Sequence, residues 1–272
     1  MTVIPKFYYE IFDMIEMSAV KKGKFCRVDY SGYPEEKDYA NHVATLADDE
    51  IPKVKSIHTG LDPDKEITFK FERVTGNVAG TGGKEITLNL KYLDDIKNAY
   101  GDRNKDNGCI IHKISHAILM APNPLTNKFW MFEALADYVR HMRGYRREDA
   151  VGAVKMEGAY PHYEKGNALN PNRSQVCAHF LLYLEKSQPR IVKELVNELV
   201  SNSYDETIFQ RLFNGKTLPE LVKMYEDKED KILEEKRIAE EQRIRDEKIK
   251  NNLWSRLFAA ISGFFGRIRK NK

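Results

Sequence analysis

Residues 109–120 read C-I-I-H-K-I-S-H-A-I-L-M, and this stretch decides how the sequence is interpreted. It places His112 and His116 four residues apart, so a helix presents both imidazoles on one side. The other side is apolar and can be buried; its residues are Ile110, Ile114, Ala117 and Ile118. This spacing is typical of a histidine pair that binds one metal ion.

A second helix is predicted from Phe129 to Arg143. The first helix has to stop before it, because the A-P-N-P sequence at residues 121–124 cannot continue a helix. The second helix carries Glu133 and Asp137, again four residues apart, within an otherwise apolar stretch. Buried carboxylates need a cation, a metal ion or hydrogen-bond donors.

Together, the two helices suggest a zinc site. His112, His116 and Glu133 are the candidate ligands, and Asp137 is the candidate acceptor that orients a ligand histidine. The alternative is two ordinary histidines followed by a solvated pair of carboxylates.

Lys113 changes the chemistry expected of such a site. In the H-E-x-x-H motif of zinc peptidases, a glutamate follows the first histidine and acts as general base. The sequence here is H-K-I-S-H, and an ammonium group cannot accept another proton. The spacing therefore favours a metal site, while Lys113 argues against hydrolysis. Two outcomes stay open: zinc binds despite the nearby charge, or Lys113 replaces the metal by pairing with Glu133 or Asp137.

The string E-A-L-A-D-Y-V-R at residues 133–140, followed by Gly144 and Tyr145, resembles the plant-type basic secretory protein family of zinc peptidases. The family reads close to E-G-I-A-D-Y-V-R at this place. Weaker similarity extends the resemblance to roughly residues 40–226 and is found at residues 76–80, 85–89, 178–184 and 213–221.

The resemblance implies a gluzincin-like α+β fold in which His112, His116 and Glu133 bind zinc and Asp137 supports His112. The resemblance does not identify a catalytic residue, because Lys113 occupies the general-base position. A second departure is the R-S-Q sequence at residues 173–175, where the family has G-Y-D. If the family's tyrosine stabilises an oxyanion, its absence removes a second part of the mechanism.

The expected function is therefore that of an inactive pseudopeptidase, which holds a peptide or protein in the former substrate cleft. One alternative is an active zinc metalloendopeptidase that uses another general base, for which Glu157 and Glu164 are candidates. Another is an inert cleft, with the function carried by the C-terminal tail alone.

The first hundred residues predict a small sheet with helices. Helices are expected over residues 7–20 and 37–57, and strands over residues 24–30, 66–74 and 84–90. The last of these strands is expected to form the edge of the sheet beside the cleft, where a peptide could add as a strand. The glycine-rich residues 76–83 predict a hairpin or rim loop rather than a phosphate-binding loop, because a strand pattern follows them. Only helices are expected beyond Asn107.

The other histidines lack a second ligand at helical spacing. They are predicted to be ordinary surface or packing residues; they are His42, His58, His141, His162 and His179.

Composition narrows the class of protein. Three cysteines, Cys26, Cys109 and Cys177, do not form a disulfide framework and favour a reducing compartment. The N-terminus lacks the pattern of a secretory signal, so an intracellular, cytoplasmic protein is expected, with peripheral membrane association left open. A net charge of +3 and the lack of a nucleic-acid motif argue against a nucleic-acid partner.

The sequence divides into three predicted parts: a peptidase-like domain over residues 1–225, a charged helical spacer over 226–250 and an amphipathic basic helix over 251–272. The spacer has ten acidic and eight basic residues among its 25. In the last part, apolar residues recur at helical spacing; they are Trp254, Leu257, Phe258, Ile261, Phe264, Phe265 and Ile268. Residues 251–272 are predicted to bind a membrane surface or a partner helix, the alternative being that they fold back onto the domain.

Overall fold

The computed structural model describes residues 19–58, 66–75, 79–119, 129–145 and 165–270, and for residue 105 and residues 256–270 it describes the backbone alone. The chain is α+β, as predicted, with a small sheet near the N-terminus and helices after it. The helix predicted over residues 7–20 lies outside the described residues except at its end, where the prediction was wrong: Val20 begins a strand.

The five described strands form one mixed sheet in the order β1-β2-β3-β5-β4. Their bounds are β1 Val20–Lys22, β2 Cys26–Asp29, β3 Ile67–Glu72, β4 Ala79–Gly82 and β5 Glu85–Asn89. Strands β2, β3 and β5 are parallel to one another, while β1 and β4 pair antiparallel to their neighbours. Three of these strands fall where the sequence predicted them.

The predicted hairpin is present, but the predicted edge strand is wrong. Strands β4 and β5 pair across a tight turn in which Gly83 has φ +61°, a conformation that glycine adopts without strain. Strand β5 therefore lies inside the sheet, between β3 and β4. The edge of the described sheet on this side is β4, which lies in the glycine-rich segment predicted to be a hairpin or rim loop.

Eight α-helices are described. They are α1 Lys37–Ile57, α2 Leu90–Tyr100, α3 Asn107–Leu119, α4 Phe129–Met142, α5 Ser174–Ser187, α6 Ile191–Val200, α7 Thr207–Leu212 and α8 Leu218–Lys270. Helices α1, α3 and α4 match the predicted segments, and every regular element described beyond Asn107 is helical.

Helix α2 was not predicted, although both of its ends carry clear signals. The side chain of Asn89 accepts a hydrogen bond from the backbone N–H of Lys91 and so caps the first turn. Gly101 ends the helix at φ +81°, in the left-handed region.

The core lies between the sheet and helices α1 and α3, and continues between α4 and α5. One face of β3 contributes Ile67, Phe69 and Phe71, all buried, because alternate residues of a strand point to the same side. Helix α1 joins the parallel strands β2 and β3 and contacts both β2 and α3. Helix α3 is thereby held between the sheet and α4, and almost all of its residues are buried.

Helix α8 runs without interruption for 53 residues, through both the predicted spacer and the predicted tail. It begins with a capping box, in which Thr217 and Glu220 bond to each other's backbone N–H groups. One face of its first turns is buried on the domain through Leu218, Leu221 and Tyr225, whereas residues 233–255 are exposed throughout.

No helix in the described part of the chain combines the length and the apolar character needed to cross a membrane. Cys26, Cys109 and Cys177 are buried thiols that are not joined to one another by disulfide bonds.

Candidate metal centre

Helix α3 carries both histidines into the interior. His112 and His116 are 8% and 9% exposed, and both lie on the side of α3 that meets α4. Burial of two imidazoles is unfavourable unless partners satisfy their ring nitrogens. Helix α4 supplies those partners.

Three side chains bring their donor atoms together between the two helices. The Nε2 atoms of His112 and His116 lie 3.0 Å apart. Glu133 places Oε2 3.3 Å from the first of these atoms and Oε1 3.2 Å from the second. These three side chains form the group of described residues that could hold a metal ion.

Asp137 lies behind His112, one helical turn after Glu133. The Nδ1–H of His112 donates to Asp137 Oδ1 at 2.9 Å, which leaves Nε2 to face the other donors. Asp137 is itself held by Arg140, whose Nη1 lies 3.2 Å from Oδ1, and by the hydroxyl of Ser174. Ser174 begins α5, in the R-S-Q segment that departs from the family pattern.

The charges of the site follow from these contacts. Burial lowers the pKa of His112, but the charge and hydrogen bond of Asp137 outweigh it and the pKa is raised. Burial dominates for His116, whose pKa is lowered in spite of its contact with Glu133. Burial alone would raise the pKa values of Glu133 and Asp137. The two histidines nevertheless hold the pKa of Glu133 well below its usual range, and His112, Arg140 and Ser174 do the same for Asp137. Both carboxylates are therefore ionised at neutral pH.

The donor set fits a zinc ion. Ligands about 2.0–2.1 Å from zinc at tetrahedral angles lie roughly 3.3–3.4 Å from one another. The two Nε2 atoms lie 3.0 Å apart, and each lies 3.2–3.3 Å from one of the two carboxylate oxygens of Glu133, so each of these pairs is close to the separation that a shared zinc ion requires. Two histidines and one carboxylate also form the ligand set of catalytic zinc sites that keep a fourth position open.

Lys113 lies beside this group without pairing with its carboxylates. It is half-buried, and its charge lowers the pKa of both His112 and His116. Among the described ion pairs, Glu133 contacts the two histidines and Asp137 contacts His112 and Arg140. The sequence left open that a salt bridge from Lys113 replaces the metal. No such salt bridge is found among the described ion pairs.

His58 lies near this site, and the sequence did not indicate its contact there. It is fully buried just after α1, and its Nε2 lies 2.9 Å from the hydroxyl of Ser115 on α3. Burial, reinforced by the charge of His116, lowers its pKa to about 3. His58 is thus a neutral packing residue, as predicted, but it supports the helix that carries the ligands. Its contact with Ser115 spans 57 residues, and no local pattern reveals such a contact.

The remaining histidines lie away from the three donor atoms. His42 bonds to Asn107, and His179 bonds to the hydroxyl of Tyr225. His141 is partly exposed near the end of α4. His162 and the two alternative bases, Glu157 and Glu164, lie outside the described residues.

A helix with two histidines, followed by a helix with a glutamate and a supporting aspartate, defines the class: a peptidase-like α+β domain with a potential metal site. The model of the BSP family, described as a peptidase of plants and bacteria, matches residues 35–225. The chain therefore belongs to this family. Searches of curated proteins and of solved structures gave no significant match.

Proposed function

We propose that this chain is a pseudopeptidase: its family domain holds zinc through His112, His116 and Glu133 and binds a peptide without hydrolysing it. The observation that carries the proposal is Lys113, which stands beside a convergent ligand set in the place of a general base. When bound, zinc supplies Lewis acidity, which polarises a carbonyl group and lowers the pKa of water.

Hydrolysis also needs a group that accepts a proton from water. An ammonium group does not accept one, and loss of a general base costs about 10²–10⁴-fold in rate. Both carboxylates that contact the histidines already have other roles. Glu133 is a candidate metal ligand, and Asp137 is held by His112, Arg140 and Ser174. Neither is placed to replace the missing base.

The peptide is proposed to lie along β4, and the fold to be gluzincin-like. Strand β4 has β5 on one side, no other strand among the described residues on its outer side, and α3 packed against it. An extended peptide that adds to this edge forms main-chain hydrogen bonds regardless of its sequence. It thereby lies next to the helix that carries His112 and His116.

Metal content and proteolysis test the proposal together. The purified full chain is expected to contain one equivalent of zinc by elemental analysis, and the His112→Ala/His116→Ala variant is expected to contain none. The native chain is expected to leave an unfolded substrate such as reduced casein intact. Lys113→Glu, which restores a carboxylate, is expected to gain measurable cleavage, whereas Lys113→Gln is not.

The second candidate function, an active zinc endopeptidase with another general base, is separated by the same assay. Cleavage by the native chain that disappears in His112→Ala would support it and overturn the pseudopeptidase. Absence of zinc from the native chain would overturn both, and would leave the tail as the part of the molecule to study.

The tail is proposed to attach the domain to an anionic membrane surface. The backbone is helical up to Lys270, and Leu253 and Trp254 are 61% and 50% exposed. Residues 251–272 contain no acidic residue but five basic ones, namely Arg256, Arg267, Arg269, Lys270 and Lys272. An apolar stripe at helical spacing with flanking basic residues suits a helix that lies in the interface of a membrane containing acidic lipids.

Vesicle sedimentation tests this attachment. The full chain is expected to bind vesicles of phosphatidylcholine with phosphatidylserine, and to bind phosphatidylcholine alone much more weakly. Leu257→Glu/Ile261→Glu is expected to abolish binding, while Ile238→Glu, at a 54% exposed position of the spacer, is the matched control. Equal binding by all three proteins would overturn the proposal. Self-association of the full chain without vesicle binding would identify a second copy as the partner instead.

A further inference from the structure

Lys113 makes the candidate site more positive than a peptidase site of the same design. Glu133 and Asp137 contact His112, His116 and Arg140, and none of the described ion pairs joins either carboxylate to Lys113. Lys113 directly follows His112 on α3, the helix that carries both histidines, and it is half-buried. Its charge lowers the pKa of both His112 and His116. A lysine that has no ion-pair partner among the described residues attracts an anion.

Counting charges shows the size of the change. With neutral histidines, the two charges of a zinc ion are balanced by Glu133 and Asp137. Arg140 and Lys113 then leave the group at about +2, whereas a glutamate at position 113 would leave it near zero. A ligand with one negative charge is therefore favoured here over a neutral peptide group.

We infer that the site recognises the free C-terminal carboxylate of a peptide. This inference rests on the proposed peptide-binding function and deepens it. One carboxylate can accept hydrogen bonds from the Lys113 ammonium while the preceding residues extend along the edge of β4. An internal peptide bond offers a neutral carbonyl oxygen instead. The domain thus selects chain ends, such as those that cleavage of a protein creates, rather than internal segments.

Two hexapeptide pools of randomised sequence test the inference, both N-acetylated, one with a free C-terminal carboxylate and the other with a C-terminal amide. Equilibrium dialysis against the zinc-loaded full chain, read by mass spectrometry, measures retention of each pool. The acid pool is expected to be retained about 10-fold better, the usual effect of a charge-assisted hydrogen bond. This preference is expected to fall to near unity in Lys113→Met and in Lys113→Gln.

A control variant and two checks of each protein distinguish the possible outcomes. Lys91→Met removes an exposed lysine of α2 and is expected to keep the preference. Thermal unfolding and zinc content verify that each variant is folded and loaded, and two substitutions at position 113 guard against a variant that fails either check. Equal retention of both pools would overturn the carboxylate inference and leave peptide binding intact. Retention of neither pool would overturn both. A preference that persists in both position-113 variants would overturn the role of Lys113.

Discussion

The orientation of His112 depends on one carboxylate. Asp137 accepts the Nδ1–H proton and lies almost completely buried, with Arg140 and Ser174 on its other sides. Because the proton is fixed on Nδ1, the Nε2 lone pair faces His116 and Glu133. The ring therefore needs no reorganisation before it binds a metal ion.

Asp137→Asn tests this orientation. The amide keeps the shape of the side chain but loses its charge and presents the wrong group to Nδ1 in one of its two orientations. Zinc affinity, measured by competition with a chelator, is expected to fall about 10–100-fold. Asp95→Asn, at an exposed position on α2, is expected to leave zinc affinity unchanged. Native affinity in Asp137→Asn would show that the contact is structural only.

His179 makes the fold sensitive to acid. Burial lowers its pKa to about 4, against the usual 6.5 of the unfolded chain, and its Nδ1 bonds to Tyr225 at 3.0 Å. Below pH 6.5 this histidine binds a proton in the unfolded chain but not in the folded chain. Its contribution to stability is therefore complete above pH 6.5 and is lost progressively down to about pH 4.

The expected loss from this one histidine between pH 7 and pH 5 is about 1–2 kcal/mol of the free energy of unfolding. Urea denaturation at the two pH values measures it. His179→Asn keeps a polar atom near Nδ1 but does not titrate, so its stability is expected to differ less between the two pH values than that of the native chain. An unchanged difference would assign the acid sensitivity to other groups.

The residues of the candidate site were accessible from sequence because their spacing is local. His112 and His116 share a face of one helix, and Glu133 and Asp137 share a face of the next. The contacts of His58 with Ser115 and of Ser174 with Asp137 were not accessible, because they join residues far apart in sequence. Tertiary packing alone brings such pairs together.

Among the elements, α3 and α4 approach each other closely at Gly108. A Cβ atom at this position would lie 2.8 Å from Cδ of Arg140 and 3.0 Å from the carbonyl oxygen of Tyr145. Glycine is needed here for space rather than for backbone conformation. The same close approach sets the position of Arg140, which holds Asp137.

Gly108→Ala is expected to destabilise the fold. Overpacking costs about 1–3 kcal/mol, and the better helix propensity of alanine returns at most about 1 kcal/mol. A decrease of a few degrees in the melting temperature is expected by calorimetry, accompanied by weaker zinc binding as Arg140 shifts. Gly80→Ala, where a Cβ atom meets no other atom within 4 Å, is the control. A melting temperature equal to that of the native chain would show that α3 and α4 can move apart freely.

Most elements follow from local pattern, but their arrangement in the sheet does not. The alternation of buried and exposed residues predicted β2, β3 and β5, and a 21-residue run predicted α1. The position of β5 inside the sheet depends on the pairing of β4, whose sequence A-G-T-G has little strand propensity. Pairing with β5 outweighs that weak local preference.

At the scale of the whole molecule, the end of the folded domain does not coincide with the end of a helix. Tyr225 is fully buried against Phe180, Tyr183 and His179, with ring centroids 5.4–5.7 Å away. Contacts with the domain continue to Asp230, which pairs with Lys165. The predicted boundaries at residues 225 and 250 remain predictions, since α8 passes through both without a break.

A chain that ends at Ile232 is expected to unfold within about 2 °C of the full chain, because residues 233–255 are exposed. Tyr225→Ala in the full chain is expected to lose about 3–5 kcal/mol, on the order of 10 °C, since it empties a packed aromatic site. Tyr225→Phe, which keeps the ring but removes the hydroxyl that bonds to His179, is expected to lose about 1 kcal/mol. A large loss of stability on truncation would mean that residues beyond 232 contact the domain.

The uninterrupted course of α8 makes it a lever arm. At 1.5 Å per residue, the exposed length from Leu233 to Lys250 spans about 27 Å, and no glycine or proline in it allows a bend. The helix is attached to the domain through Tyr225, which contacts Phe180 of α5, and α5 packs along α4. Helix α4 carries Glu133, so the series of contacts that begins at Tyr225 reaches the helix of a candidate ligand. The last helix and the candidate ligand set thus belong to one packed group of helices.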